Sequence, residues 1–486
     1  MKIPKEIKNI VEKLKESGFE IYIVGGCIRD LLRKKKPKDW DIATNAKPKE
    51  ISDIFKKHYI NNEFGTVTVL TNSRDESLKE VEITPYRTEE QYSDKRHPDK
   101  IHWAETVEED LSRRDFTVNA MAAEILKGEV EKIIDPFNGQ ADLEKKIIKA
   151  VRDPKERFSE DALRMMRAVR FATVMDFEIE DKTSKAIKDN SSLLKEISNE
   201  RVRDELIKII MSEKAAKGID LLRELDLLQY ILPELLEGYK ISQNKHHIYD
   251  VYEHSLRSLK YAAEQGYNKY VRIAALLHDI GKPRSKEGEG EDATFYNHEM
   301  IGAEMTHKIL TRLRFSKKDL KKIRKLVRYH LFYYHPDEVG ESSVRKLVRQ
   351  VGSENIEELI QLRKCDRVGS GCPKAEPYKL RYLKYVIEKV SQDPVSVKML
   401  KLSGEDIMKT LGINPSPMVG QVLDILLGLV LDDPKRNKKD FLENEVKKIA
   451  NLSESDLREK AKEARKKREE IEIKRDEMTK KKYWVS

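Results

Sequence analysis

The sequence predicts a mostly helical α+β chain, with a small α/β head followed by all-helical domains. Three observations carry this. Short β-rich segments (FEIYIVGG, DWDIAT, GTVTVL and LKEVEITPY) lie within the first 150 residues. From about Arg157 onward the apolar positions recur at helical spacing, as in Leu221, Leu222, Leu225 and Leu228. The 486 residues give room for about three domains at roughly 150 residues each.

The head, residues 1–150, opens with a helix whose apolar face is Ile7, Ile10, Val11 and Leu14. A helical neck is expected over 151–238, a histidine-rich helical domain over 239–375, and a helical C-terminal region over 376–486. That last region holds turns at Gly404, Gly412 and Gly420 and a charged helix from Ser453 to Lys482. Apolar residues at 39% suffice for buried cores, while 37% charged residues imply broad solvated helical surfaces. Positive charges exceed negative by 9, which suits a polyanionic partner where the excess clusters on one face. Cys27, Cys365 and Cys372 have no zinc-type spacing and form no disulfide framework, as in a reducing compartment. The opening MKIPKEIKNIVEKLKESG is not a signal peptide, and no run nears the ~20 apolar residues of a membrane span. A soluble, cytoplasmic protein is expected.

The stretch VGGCIRDLLRKKKPKDWDIAT, Val24 to Thr44, carries the first chemistry. Side chains alternate along a strand, so Asp39 and Asp41 are expected on one face, where two carboxylates clamp Mg²⁺. Gly25 and Gly26 let backbone N–H groups approach phosphate, and Arg29 follows at a helix start with charge for the same group.

This stretch resembles the head of the class II tRNA nucleotidyltransferases, the CCA-adding enzymes and their bacterial poly(A) polymerase relatives. Further motifs follow in the family's order: RRDFTVNA at Arg113, DPFNGQADLEKKIIKAV at Asp135, EDALRMMRAVRFA at Glu160, and the neck-like NERVRDELIKII and GIDLLRELDLLQYILPEL. The resemblance covers about the first 235 residues. It implies a nucleotidyltransferase head with a mixed β-sheet, and catalysis and Mg²⁺ binding by Asp39 and Asp41. It further implies nucleotide contacts from Gly26, Arg29, Arg114 and Asp115. Glu82 is a possible third carboxylate, or an ordinary exposed strand residue.

In EDALRMMR, Asp161 and Arg164 sit three apart, which on one helix gives a shared face. One acceptor beside one donor fork matches the edges of cytosine and adenine and mismatches uracil and guanine. Each unmatched buried group costs on the order of 1–3 kcal/mol. Arg167 and Arg170 extend this face toward base and phosphates. The segment Tyr86–Trp103 fills the place of the family's flexible loop, which helps the switch from C to A. It has full length here, but carries Arg96 and His97 where relatives often have two arginines.

Residues HHIYDVYEHSL, ALLHDIGK, YNHEM, RYHLF and LRKCDRVGS resemble the HD phosphohydrolase superfamily. That resemblance implies a second divalent metal (Ni²⁺, Mn²⁺ or Mg²⁺) on His254, His278, Asp279 and Asp366, with His298 and His330 nearby. It also implies phosphatase or 2′,3′-cyclic phosphodiesterase activity for repair of tRNA ends.

The expected function is template-independent addition of C, C and A to the 3′ end of tRNA from CTP and ATP, releasing pyrophosphate. The expected partners are tRNA and these nucleotides, with neither DNA nor membrane. Two alternatives remain: a poly(A) polymerase or partial CC- or A-adding enzyme, and a tRNA-binding or signalling protein with an inactive head.

Overall fold

A computed structural model describes residues 2–60, 65–90, 100–244, 248–336, 338–391 and 397–485. Within the head, β1 (Ile21–Val24), β2 (Asp41–Thr44), β3 (His58–Ile60), β4 (Val67–Leu70) and β5 (Glu80–Pro85) share one sheet. The strands β6 (Arg87–Glu90) and β7 (Lys100–Trp103) form a separate antiparallel pair. β8 (Ala122–Leu126) and β9 (Glu129–Ile134) complete the seven-stranded sheet, ordered β3-β4-β5-β2-β1-β8-β9. It is mixed, because β2 and β5 run parallel while the other neighbours are antiparallel.

The sheet's two faces follow the side-chain alternation of its strands. Ile23, Ile42, Val81 and Ile83 join Ile7, Ile10, Val11 and Leu14 of the helix Lys5–Glu16 in one core. Val24, Ala43, Tyr86, Val107, Leu111 and Ala122 pack on the opposite face. Burying each aliphatic side chain contributes about 1.5–3 kcal/mol, so slipping β2 by one residue would take Ile42 out of the first core and turn Asp41 toward it.

The neck is built around the helix Leu163–Met175, whose Met165, Met166, Ala168, Val169 and Ala172 are fully buried. Arginines on so enclosed a helix need partners to offset the cost of desolvation. Beyond the neck, Arg272 is buried and, among the described residues, donates to carbonyls alone: Ile210 and Ser212 at the end of one neck helix, plus Ala263 and Tyr267. It therefore terminates the helix Asn199–Ile210 from outside.

The chain divides into two compact units, residues 1–331 with 357–373, and residues 332–356 with 374–486. Head, neck and the histidine-bearing helices belong to the first. The second has its own core, including Leu402, Val422, Leu426, Val446 and Leu457. Its Gly404 opens and Gly412 closes the helix Gly404–Leu411. Gly420, in contrast to the sequence expectation of a turn, lies inside the helix Pro417–Asp432, where apolar periodicity overrides the glycine. The charged segment is one helix, Glu454–Tyr483. Among the described residues, no helix is long and apolar enough to cross a membrane.

Candidate active site and metal centre

At the end of β1 the chain turns through Gly25 at φ +76° into the helix Gly26–Leu32. A Cβ on Gly25 would come within 2.7 Å of Arg114 Nη1 and 3.7 Å of Asp41 Oδ2. Glycine thus provides both the left-handed turn and the space in which a guanidinium and a carboxylate flank the backbone.

Asp41 opens β2, opposite Val24 on β1 and Glu82 on β5. Because Ile42, Val81 and Ile83 point into the core under the first helix, Asp41 and Glu82 both turn to the other face. Asp39 departs from the expectation: it stands in the bend before β2, not within the strand, and the buried Trp40 anchors the chain between the two aspartates. Its charge still reaches both neighbours. Burial pushes the Asp41 carboxyl up to about 6, Arg114 opposes this, and Asp39 and Glu82 raise it further. Glu82 is likewise raised, by burial first and then by Asp39 and Glu80. Two carboxyls whose ionisation is disfavoured, with Asp39 beside both, suit a divalent cation with oxygen ligands. The β2–β5 pairing brings in Glu82, which the sequence left open, since register between distant strands has no local signal.

The segment Arg113–Asp115 links this face to the neck. Arg113 and Arg114 pair with the buried Asp110 at 2.7 and 3.2 Å. Arg29 donates to Asn119 Oδ1 at 2.7 Å, fixing its head beside Gly26. Asp115 accepts from its neighbours Phe116 N–H and Asn119 Nδ2, and from Arg167 Nε at 2.8 Å. Burial alone would raise Asp115, but Arg167 more than offsets it and holds the carboxyl down at about 2. Arg170 pairs with the buried Glu205 at 2.7 Å. Arg29, Arg167 and Arg170 surround the Phe171 ring at 5.5, 5.3 and 4.0 Å.

Asp161 and Arg164 require a correction. They do not share one helix: Asp161 ends the helix Pro154–Glu160 in an extended conformation, and the next helix begins at Leu163. The break arises because the Asp161 carboxylate accepts from the Leu163 N–H, competing with the helical backbone. Arg201 then grips Asp161 from across the neck, at 2.7 and 3.3 Å. Arg164 is held by Glu160 at 2.6 Å and by the Arg113 carbonyl at 3.3 Å. Arg201 and Glu205 lie in NERVRDEL, where only their charge hinted at a role. The loop residues Arg96 and His97 lie outside the described residues.

The histidines converge in the first unit. His254 comes from the helix Val251–Glu264, His278 and Asp279 follow Lys269–Leu277, and Asp366 lies on Ile356–Gly369. His298 starts the helix His298–Arg312, and His330 ends Lys317–Tyr329. A Cβ on Gly281 would sit 2.2 Å from the His298 carbonyl, so glycine lets the His278–Asp279 turn press against that helix. His254, His278, Asp279 and Asp366 form one donor set, and Asp279, His298 and His330 a second that shares Asp279. In each set the donor atoms lie within 4.8 Å of one another.

Two details fit a metal here. The Nδ1 atoms of His278, His298 and His330 each face a backbone carbonyl at 2.9, 2.7 and 2.7 Å, which turns Nε2 inward as a lone pair. The Nε2 atoms of His254 and His278 then meet at 2.9 Å, with Asp279 Oδ2 3.1 Å from His254. Two imidazole nitrogens that close repel unless a proton or a metal cation lies between them. Burial opposes protonation of His278, yet Asp279 and Asp366 outweigh it and hold its pKa up at about 10. Both carboxyls lie well below their ordinary range, even though burial alone would raise them: Asp279 through His278 and Lys282, Asp366 through Arg363 and the histidines. The cluster therefore draws positive charge.

Residues 21–149 match the Poly A polymerase head domain, 176–238 the probable RNA and SrmB-binding site of polymerase A, and 251–369 the HD domain. A CCA-adding enzyme of Pediococcus pentosaceus is 44% identical over 242 residues, 49% of this chain and 58% of that protein. Another, from Lactobacillus helveticus, is 48% identical over 201 residues, 41% and 48% of the two chains. The chain thus spans about half the length of these curated relatives. The Bacillus stearothermophilus CCA-adding enzyme in complex with CTP superimposes with a TM-score of 0.60 at 26% identity, covering 92% of this chain and 98% of that one. The Thermotoga maritima CCA-adding enzyme complexed with tRNA shares the fold, with a TM-score of 0.54 at 22% identity over 92% and 96%.

Proposed function

We propose that this chain, a member of the CCA-adding enzyme and poly(A) polymerase family with an HD domain, adds C, C and A to the 3′ end of tRNA from CTP and ATP. One observation carries the reading. The segment Arg113–Asp115 reaches the carboxylate face on one side, where Arg114 and Asp41 flank Gly25, and is bonded on the other side to Arg164 and Arg167. A nucleotide whose phosphates lie by the carboxylates would therefore present its base to a rigid protein edge.

In this reading Asp39 and Asp41, with Glu82 alongside, hold Mg²⁺. Bound there, Mg²⁺ supplies charge stabilisation for the attacking and leaving oxygens of an in-line displacement. The chain's own residues do the positioning. Gly26 offers backbone N–H at the helix start, and Arg29 and Arg114 neutralise the triphosphate. Asp115 fixes Arg167, and Arg170 is fixed by Glu205, so neither guanidinium must be ordered when substrate arrives. Asp161, bonded to Arg201 and the Leu163 N–H, keeps acceptor capacity for an exocyclic amine, and Arg164 keeps donors for a ring nitrogen. The tRNA 3′-hydroxyl attacks the α-phosphate and pyrophosphate leaves.

The histidine cluster is read as a phosphoesterase centre acting on damaged tRNA ends, 2′,3′-cyclic phosphates included. Its residues would bind Ni²⁺, Mn²⁺ or Mg²⁺, and such an ion generates a water-derived nucleophile at neutral pH. The working compartment in this reading is the cytoplasm.

The test uses tRNA transcripts ending before CCA, after C and after CC, with Mg²⁺ and the four nucleotides, and sequences the 3′ ends. Growth to CCA followed by arrest is expected, with Asp39→Ala lowering incorporation at least about 1,000-fold, as loss of a metal-borne charge at the reacting centre demands. A product stopping at CC, a lone A, or a poly(A) tail selects the alternative enzymes. No incorporation by folded protein removes the reading.

A further inference from the structure

Arg29 and Arg167 reach the nucleotide site from different domains, the first on the helix Gly26–Leu32 of the head and the second on Leu163–Met175 of the neck. A chain of hydrogen bonds runs between them. Arg29 Nη1 donates to Asn119 Oδ1 at 2.7 Å, and Asn119 Nδ2 donates to Asp115 Oδ1 at 3.2 Å. Asp115 Oδ2 then accepts from Arg167 at 2.8 and 2.5 Å. Asn119 is the uncharged middle link.

The residue type follows from its two neighbours. A guanidinium only donates and an ionised carboxylate only accepts, so the link needs an acceptor and a donor on one small group. A side-chain amide has both, and these partners permit just one of its two orientations. A carboxylate at this position would stand against Asp115, and an aliphatic side chain would bond to neither end. The amide is also held still. It is 7% exposed at the end of the helical turn Thr117–Asn119, whose Thr117 hydroxyl donates to Asp142 Oδ2 at 2.7 Å. A Cβ on Gly139 would lie 2.2 Å from the Thr117 carbonyl, so this turn is pressed against the helix Gly139–Glu144. A buried chain of cation, dipole, anion and cation polarises along its length, and each bond strengthens the next.

We infer that Asn119 is a positioning residue that couples the triphosphate end of the nucleotide site to the base end. Arg29 drawn onto a triphosphate fixes the amide, the amide fixes Asp115, and Asp115 sets the Arg167 fork. By linkage, a base seated at the neck tightens the grip on the phosphates by the same factor. A nucleotide with the wrong base then loses contact at both ends. The inference rests on reading Arg29 and Arg167 as nucleotide contacts, and the experiment separates the two.

CTP is titrated calorimetrically, with Mg²⁺ and without tRNA, into the full chain and its Arg29→Lys, Arg167→Lys and double variants. Lysine keeps the charge at each end and removes the fixed fork. With Asn119 in place, the double variant should bind at least about threefold tighter than the product of the single losses predicts. In the Asn119→Ala background the losses should simply multiply, and the preference for CTP over UTP should fall about threefold. Asn119→Asp keeps the side-chain volume and the acceptor for Arg29 but not the donor for Asp115. It should uncouple the two ends as alanine does, and it serves where alanine unfolds the chain. Losses that multiply with Asn119 in place, a departure that survives both substitutions, or an unchanged preference for CTP overturns the proposal. A merely structural asparagine would lower affinity and leave the departure intact. CTP that binds with independent ends sinks this inference alone, whereas folded wild type that binds no CTP sinks the reading of the site.

Discussion

The head and the histidine cluster solve one problem, gathering charge for a divalent cation, in opposite ways. At the head, Asp39 and Glu82 are exposed and Asp41 is half-buried, so the carboxylates stand on an open sheet face. In the cluster every donor is buried, and three imidazoles are fixed through Nδ1 to carbonyls of their own turns. An open face admits the end of a macromolecule together with a nucleotide, at the cost of leaving its carboxylates loosely restrained. A closed cluster is pre-organised and admits only what its cavity can hold. The head therefore depends on its arginine scaffold for precision, while the cluster carries its precision in its own backbone contacts.

The widest test of that contrast is a reciprocal pair. Asp41→Ala should lower nucleotide incorporation at least about 1,000-fold and leave bound transition metal unchanged. His278→Ala should abolish stoichiometric metal binding, measured by elemental analysis, and cut phosphoester hydrolysis at least about 100-fold with incorporation intact. Loss of both activities in either variant would break the comparison by showing the sites to be coupled.

A smaller effect is expected where the head relies on its scaffold. Arg201→Ala frees the Asp161 carboxylate without touching the phosphate residues, so misincorporation of U or G relative to C and A should rise about tenfold, with Mg²⁺ dependence unchanged. If incorporation merely slows, with selectivity kept, Arg201 does not set the edge.

The smallest effect sharpens the comparison through pH. The folded Asp115 carboxyl sits at about 2, below an unfolded value of about 3.9. The Asp115–Arg167 pair therefore stabilises the fold fully above about pH 4, and its contribution fades as pH falls through 2. Denaturant unfolding should find Asp115→Asn less stable by about 2 kcal/mol at pH 6, with the gap closing toward pH 2. A gap independent of pH would mean that packing, not charge, ties the head motif to the neck.

Much of this was legible because it is local. Gly25, Gly26 and Arg29 sit within one strand–turn–helix that spacing marks, and the His278–Asp279 pair follows an apolar helical run where the resemblance to the HD superfamily marks it. The mixed sheet and the helical remainder follow from segments whose periodicity is plain. What escaped depends on chain reversals. Glu82 joins Asp41 only through parallel pairing across some forty residues, and Arg201 reaches Asp161 over forty residues of neck. The spacing of Asp161 and Arg164 suggested one helix, but a side-chain acceptor at a helix end rewrites that geometry. Strands β3, β8 and β9 lie outside the four β-rich segments, because their runs are short or interrupted by charge. The grouping of residues 332–356 with the C-terminal helices likewise has no marker in composition.

Arg272 has a consequence for how such a chain can be shortened. Four carbonyls of two helix ends and a turn share one guanidinium, and among the described residues no carboxylate competes for it. A fragment stopping at the last neck helix would keep every residue assigned to nucleotide transfer, yet lose the plug that closes Asn199–Ile210, the helix that carries Arg201 and Glu205. The head-and-neck half thus borrows its terminator from the histidine-bearing half, and the two cannot be parted at their apparent seam without fraying the helix that carries Arg201 and Glu205.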